Sequence, residues 1–213
     1  MNTFQYKRSK TFYQHYGKRL FDLCVAVPLF LAVFPILCFA GLLVLITSRR
    51  PIFFTQVRLG KDGREFDIYK FRSMTVTKQK SGGEVFADHP DVTWIGKILR
   101  RTKIDELPQL WNILCGDLSF IGPRPLLPES MERCGEVGRK RLDVPQGLAS
   151  LTEVNGNIYL DWDDRWCYDA EYVDRQSFRL DLEIFFRVFL VILFGEKVFL
   201  KPYQGKYKMQ QKK

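Results

Sequence analysis

Leu23 to Ile46 reads LCVAVPLFLAVFPILCFAGLLVLI, a run of 24 residues without a charge. A transmembrane helix needs about 20 such residues, so the length suffices. The run is too long for a signal-peptide core, and Thr47-Ser48 leads into Arg49-Arg50 with no small-residue cleavage site. A soluble core helix would carry a polar face, which this stretch lacks. Pro28 and Pro35 fall inside it; each removes a backbone donor and crowds the preceding turn, so a bend is expected. Lys7, Arg8, Lys10, Lys18 and Arg19 precede it, and Arg49, Arg50, Arg58, Lys61 and Arg64 follow against Asp62. Positive flanks keep both sides in the cytoplasm. The expectation is a re-entrant helical hairpin that breaks near Phe34-Pro35 and returns to the face it entered, in preference to a span. Asp22, at its mouth, is expected to pair with Arg19.

The whole 213-residue chain has the length and composition of one folded domain: 46% hydrophobic, 27% charged and 15% aromatic, with 18 phenylalanines. This composition excludes disordered and low-complexity classes. Net charge is +9, but residues 1–19 carry +5 and residues 201–213 another +5, leaving the body near neutral. Basic tails around a neutral body suit an anionic membrane surface and not a nucleic-acid groove, which needs a folded basic face. Five cysteines without a CxxC pair, and only two histidines, speak against a disulfide framework and a zinc site. The expected divisions are residues 1–48 (basic N-terminus and re-entrant helix), 49–200 (cytosolic-face catalytic domain) and 201–213 (basic tail).

Past the apolar run, β-prone segments Ile52–Val57 and Glu65–Phe71 flank Gly60-Lys61-Asp62-Gly63, which predicts a hairpin. Lys70 and Arg72, beside Tyr69 and Phe71, suit phosphate binding or an ordinary solvated strand face. Lys78–Pro90 reads as a loop. Trp94–Arg101 is amphipathic, with Ile95, Ile98 and Leu99 at helical spacing. Asp105 is expected to cap a second helix, with Glu106 and Pro108 in its first turn, a buried stripe of Leu107, Leu110, Trp111 and Leu114, and Gly116 at its end. An ionised Asp105 there can attack a phosphoryl group, and Glu106 beside it can hold Mg²⁺. Arg100 and Arg124, the latter stiffened by Pro123 and Pro125, can clamp phosphate oxygens. Taken alone, an Asp-Glu pair at a helix start reads as a cap. From Leu180 onward the chain is apolar but interrupted by Asp181, Glu183 and Arg187, which predicts an interfacial helix and leaves room for a homodimer.

In combination these segments resemble a known family. Lys18-Arg19-Leu20-Phe21-Asp22, the apolar run with its central proline, the spaced set Phe53, Gln56, Arg58 and Gly60, Tyr69-Lys70-Phe71-Arg72-Ser73-Met74, Ile104-Asp105-Glu106-Leu107-Pro108-Gln109-Leu110 and Gly116-Asp117-Leu118-Ser119-Phe120-Ile121-Gly122-Pro123-Arg124-Pro125 are similar to the bacterial sugar transferases, in their small monotopic phosphoglycosyl transferase form. The resemblance implies transfer of a sugar-1-phosphate from a UDP-sugar to undecaprenyl phosphate in the inner leaflet of the bacterial inner membrane, on its cytoplasmic face, with release of UMP. It implies a covalent phosphosugar on Asp105, Mg²⁺ on Glu106 with Asp105, and phosphate binding by Arg100 and Arg124. The fold expected is α+β, mostly helical, with a re-entrant membrane hairpin, a small β-hairpin and interfacial helices around the active site.

The chain departs from the family in three places. Phe34-Pro35 stands for the usual Ser-Pro at the break. Pro145 replaces a phosphate-binding Arg, with Arg139 or Arg141 as stand-ins. Glu153-Val154-Asn155-Gly156 replaces Gln-Val-Asn-Gly. Trp162 and Trp166, four residues apart, form either an aromatic face under the site or plain core or interfacial packing. A non-catalytic membrane adaptor and a glycosyltransferase releasing UDP are the alternative readings.

Overall fold

A computed structural model describes residues 11–48, 50–75 and 91–209. Lys7, Arg8, Lys10, Arg49 and the segment Lys78–Pro90 lie outside the described residues. The protein is mostly helical, with one antiparallel strand pair and one short parallel pair.

The apolar run lies within helix α1 (Lys18–Ser48), 31 residues with Pro28 and Pro35 inside it. A straight helix of that length measures roughly 46 Å, more than a bilayer's hydrocarbon core. With the turn before it, this is the one stretch among the described residues long and apolar enough to cross a membrane. Leu31, Phe34, Ile36, Phe39 and Leu42 are exposed along its middle, whereas both ends are packed.

At the first end Lys18, Asp22 and Ala26 are buried. The Lys18 ammonium lies 2.7 Å from Asp181 and 3.7 Å from Asp22. Asp22 accepts hydrogen bonds from the Ser119 hydroxyl at 2.8 Å and the Phe120 amide at 3.0 Å. Tyr13 and Tyr172 donate to Asp181. The expected Arg19–Asp22 pair gives way to this arrangement. Asp22 turns inward to unpaired donors, and Arg19 donates to the Ile113 and Leu114 carbonyls at 2.5 and 2.7 Å. At the second end Ala40 and Val44 pack with Phe71, Ile95 and Leu99.

Strands β1 (Phe53–Leu59) and β2 (Glu65–Phe71) pair antiparallel, Phe53 opposite Phe71 and Leu59 opposite Glu65. The turn at Lys61–Gly63 places Asp62 and Gly63 at φ 58° and 74°, which explains the Asp-Gly. Helix α2 (Trp94–Arg101) is capped by Thr93, whose hydroxyl accepts from Gly96 at 3.0 Å. Its buried face is Ile95, Gly96 and Leu99, and Ile98, expected inside, faces outward with Trp94. Helix α3 is Gln109–Cys115, closed by Gly116 at φ 93°. Its inner face is Gln109, Leu110, Asn112 and Ile113. Trp111, expected inside, is 53% exposed and lies against Phe30 of α1.

Two three-residue strands, β3 (Ser119–Ile121) and β4 (Gly147–Ala149), pair in parallel. Their backbones approach so closely that a Cβ on Gly147 would fall 2.1 Å from the Gly122 amide nitrogen, and one on Gly122 would fall 2.4 Å from the Pro145 carbonyl. After a short helix α4 (Gly135–Arg139), helices α5 (Trp162–Arg175) and α6 (Phe178–Phe194) complete the body. Trp166 is core against Leu126 and Cys134, while Trp162 is half exposed with Arg165 over its ring. One side of α6 buries Leu180, Asp181, Ile184 and Val191, and the other exposes Phe186, Phe189, Ile192, Leu193 and Phe194. Within the expected basic tail, Tyr203 and Tyr207 are buried, and Lys206 and Lys208 pair with Asp174 and Asp164 of α5.

Candidate active site

Between α2 and α3 the backbone turns sharply. Lys103 sits at φ 58°, an unusual conformation for a residue with a side chain, and starts a 3₁₀ turn over Ile104–Glu106. The bonds that follow all span three residues: Glu106 to Lys103, Leu107 to Ile104, Leu110 to Leu107, Trp111 to Pro108. Pro108 has no N–H to bond back to Ile104, so the α-helix starts only at Gln109. This corrects the expected capping role of Asp105. Its side chain makes no cap, it is only 8% exposed, and Oδ1 has no hydrogen-bond partner among the described residues.

Glu106, the next residue, is fully engaged. Its Oε1 accepts from the Lys70 ammonium at 2.6 Å and the Arg124 guanidinium at 2.8 Å. The two neighbouring carboxyls are therefore pushed in opposite directions. Burial, then the Glu106 charge, raises Asp105 above the usual carboxylate range despite Lys70, Arg100 and Lys103. Burial acts on Glu106 in the same sense, but Lys70, Arg124 and Lys103 outweigh it and hold Glu106 well below that range. Adjacent acids whose surroundings separate their protonation are a signature of divided chemical roles.

The cations are positioned with equal care. Lys70 lies on β2, and Asn112 locks that strand to α3 by accepting from the Tyr69 amide at 3.2 Å and donating to the Asp67 carbonyl at 2.7 Å. Arg124 follows β3. The Pro123 carbonyl accepts from Gly147, the Arg124 carbonyl accepts from Arg141 at 2.6 Å, and the Pro125 carbonyl accepts from Arg58 at 3.2 Å. Arg141, considered as a stand-in for the Arg absent at Pro145, is buried, paired to Asp169 at 2.9 Å and laid over Trp166. It braces the Arg124 backbone, while Arg139 is exposed on α4. Arg100 donates to the Ser73 hydroxyl at 2.9 Å and carries a charge that Asp105 and Glu106 feel. Arg72 is only 2% exposed and donates to the Ser48 carbonyl, closing the end of α1. Phe34 and Pro35 stand exposed in mid-helix, far along the chain from this cluster.

Thus Asp105, Glu106, Lys70 and Arg124 come together, with Arg100 alongside, and Arg72 serves the helix end. Sequence reasoning missed Asn112, Gln109, Arg58, Lys103 and Glu153. Glu153 is buried with its carboxyl 3.9 Å from Lys103, which also lies 3.6 Å from Glu196. The one sequence signal for Glu153 was its charge at a position where relatives carry Gln. A small cleft opens beside Lys70 and Arg124.

The family model described as bacterial sugar transferase matches residues 13–195. The uncharacterized sugar transferase EpsL of Bacillus subtilis (strain 168) is 41% identical over 167 residues, covering 78% of this chain and 82% of that protein. The undecaprenyl-phosphate glucose phosphotransferase of Komagataeibacter xylinus is 37% identical over 85% of this chain, and the undecaprenyl-phosphate galactose phosphotransferase of Salmonella typhimurium is 31% identical over 88%. The chain spans only 37% and 42% of the length of those two proteins. With α1, relatives that act on a lipid carrier mark a membrane-associated protein. Matched from residue 13 to residue 195, the chain belongs to the bacterial sugar transferase family.

Proposed function

We propose that this protein transfers a sugar-1-phosphate from a UDP-sugar to undecaprenyl phosphate and releases UMP, the first step in building a lipid-linked glycan. The relatives named as undecaprenyl-phosphate glucose and galactose phosphotransferases support that class of reaction. One observation carries the assignment of residues: Asp105 has a buried, unpartnered carboxylate oxygen directly beside a carboxylate held by two cations.

The reaction proceeds in two displacements. An oxygen of Asp105 attacks the phosphorus bearing the sugar, the bond from that phosphorus to the bridging oxygen breaks, and UMP departs with the electron pair. The chain then carries an acyl phosphate on Asp105. A phosphate oxygen of the lipid attacks the same phosphorus, the Asp105 oxygen leaves, and the carboxylate is restored. Desolvation makes Asp105 a stronger nucleophile than a hydrated carboxylate, and Arg100, Lys70 and Arg124 neutralise charge on the phosphoryl oxygens. Among the described residues no cluster of three His, Cys, Asp or Glu forms a cage. The buried, unpartnered Oδ1 of Asp105 beside Glu106 suits Mg²⁺, which takes one or two carboxylates and completes its shell with water and substrate phosphate. Bound there, Mg²⁺ would neutralise phosphate charge.

The re-entrant reading of α1 draws support from its packing. Its first turns rest on α3, β3 and Asp181, its last turns on β2 and α2, so both ends lean on the same body. A helix crossing the bilayer would separate them. Asp105 then works at the cytoplasmic face of the inner membrane, where a soluble nucleotide and a lipid phosphate meet. The exposed phenylalanines of α6 suit the same interface.

The test is chemical trapping. Enzyme quenched with a UDP-sugar and Mg²⁺ but without lipid should gain one sugar phosphate on the peptide bearing Asp105, and Asp105→Asn should gain none. An adduct on another residue, or an Asn variant with normal turnover, overturns the assignment.

A further inference from the structure

The cleft beside the Asp-Glu pair is not explained by the pair itself. Arg58, Lys70 and Arg124 line it, together with Gln109 and the backbone at Gly147. Three cations thus share a small space. The carboxylate matched to it, Glu106, already accepts from two of them through one oxygen. Arg58 is left without such a match. Its two terminal nitrogens donate to the neutral Pro125 carbonyl and Gln56 amide oxygen, and its Nε has no hydrogen-bond partner among the described residues. Burial, then the nearby Arg124, pull the Arg58 pKa down to about 10 against the opposing charges of Glu106 and Glu129. Gln109 is 3% exposed, and its Nε2 likewise has no partner among the described residues.

A buried N–H without an acceptor costs about 1–3 kcal/mol, so two of them on one cationic cleft call for a ligand rich in oxygen and negative charge. A phosphoryl group has that chemistry, and guanidinium and amide donors match its oxygens. Lys70 and Arg124 form the wall shared with Glu106. The cleft therefore adjoins the acidic pair through the two cations that hold Glu106.

We propose that Arg58 and Gln109, with Lys70 and Arg124, form a second phosphoryl subsite that binds the phosphate not attacked by Asp105. The inference rests on the reading of Asp105 as the attacking group. Two sources present that chemistry: the nucleotide's remaining phosphate and the lipid's phosphate.

The experiment follows thermal protection of the full chain in detergent with EDTA, titrating inorganic pyrophosphate, UMP and a short-chain polyprenyl phosphate separately. Pyrophosphate should raise the melting temperature of the wild type and of Asp105→Asn alike. Gln109→Glu, which keeps the side-chain shape and adds a negative charge, should fold normally yet need at least about tenfold more pyrophosphate for half protection, a loss of about 1.4 kcal/mol in binding. Arg58→Gln should behave the same way, and Arg58→Lys should recover part of the effect. Whichever of UMP and polyprenyl phosphate loses its protection in Gln109→Glu is the natural occupant. Unchanged pyrophosphate protection in both Gln109→Glu and Arg58→Gln, or none in the wild type, overturns the subsite. A wild type that binds pyrophosphate this way but releases no UMP from UDP-sugars fails the reaction and keeps the subsite.

Discussion

Neutralising the two adjacent acids should move stability in opposite directions. Glu106 accepts two charge-assisted hydrogen bonds, at 2.6 and 2.8 Å, each worth about 1.5–3 kcal/mol. Glu106→Gln keeps an oxygen acceptor but removes the charge, and the side chains of Lys70 and Arg124 are 21% and 41% exposed, so water recovers part of the loss. A net cost of about 2 kcal/mol is reasonable, which for a chain of this size lowers the melting temperature by about 4–8 °C. Asp105 lacks this support. Its folded carboxyl is raised above the unfolded value, so the ionised form is disfavoured in the fold and stability falls as pH rises through the ordinary carboxylate range. Asp105→Asn removes that penalty, and its melting temperature at pH 7.5 should equal or exceed the wild type's while turnover disappears. Melting curves in one detergent, with the two variants side by side, check this. An Asp105→Asn protein as destabilised as Glu106→Gln would refute the assignment of opposed environments.

The direction of the Asp105 shift also sets a pH dependence. The nucleophile is lost as pH falls through a raised value, so the acid limb of kcat/KM in the phosphosugar-forming step should lie above that of an ordinary aspartate, and an acid limb at or below the usual range removes the argument. At the root of α1, Asp181→Ala takes the 2.7 Å partner from the Lys18 ammonium, only 3% exposed, and leaves it Asp22 at 3.7 Å, so the cost should lie at the low end of that for a broken buried pair, about 3 kcal/mol. Asp181→Asn, which still accepts from Tyr13 and Tyr172, should cost less in the same melting experiment.

Local features were legible in the sequence, and long-range ones were not. The Asp62-Gly63 turn, the start of α2 after Thr93 and the stop at Gly116 depend on backbone preferences within a few residues. The inner face of α3 depends on tertiary partners. Asn112 is buried because Tyr69 and Asp67 lend it their backbone groups, and Trp111 is left outside against Phe30. Pairing of β3 with β4 joins segments of three residues far apart in the chain, too short for a periodic signal. Of the site, Lys70, Arg100, Asp105, Glu106 and Arg124 were singled out in the sequence, the acidic pair only through its company of motifs, while Arg58, Lys103 and Glu153 looked like ordinary surface charges. Their supports were hidden because Arg141 and Asn112 act through backbone carbonyls and amides, which any sequence supplies.

Three consecutive residues explain why the charged cluster sits where it does. On β2, Lys70 reaches Glu106 and Phe71 packs on Ala40 and Val44 at the far end of α1, and Arg72, just past the strand, donates to the Ser48 carbonyl that finishes that helix. Alternation along the strand sends neighbouring side chains to opposite faces, so one short strand grips the apolar helix and the carboxylate pair at once. The near end of α1 is tied just as directly, since Arg19 holds the last carbonyls of α3, the helix that follows Asp105 and Glu106. The reactive turn therefore hangs between the two ends of a single helix. Its distance from the plane in which that helix lies is set by strand and helix geometry and not by a flexible linker. For the proposed transfer, which joins a soluble phosphate to one anchored in lipid, a fixed height is the property that matters, because about 1 Å of misplacement can cost a hundredfold in rate.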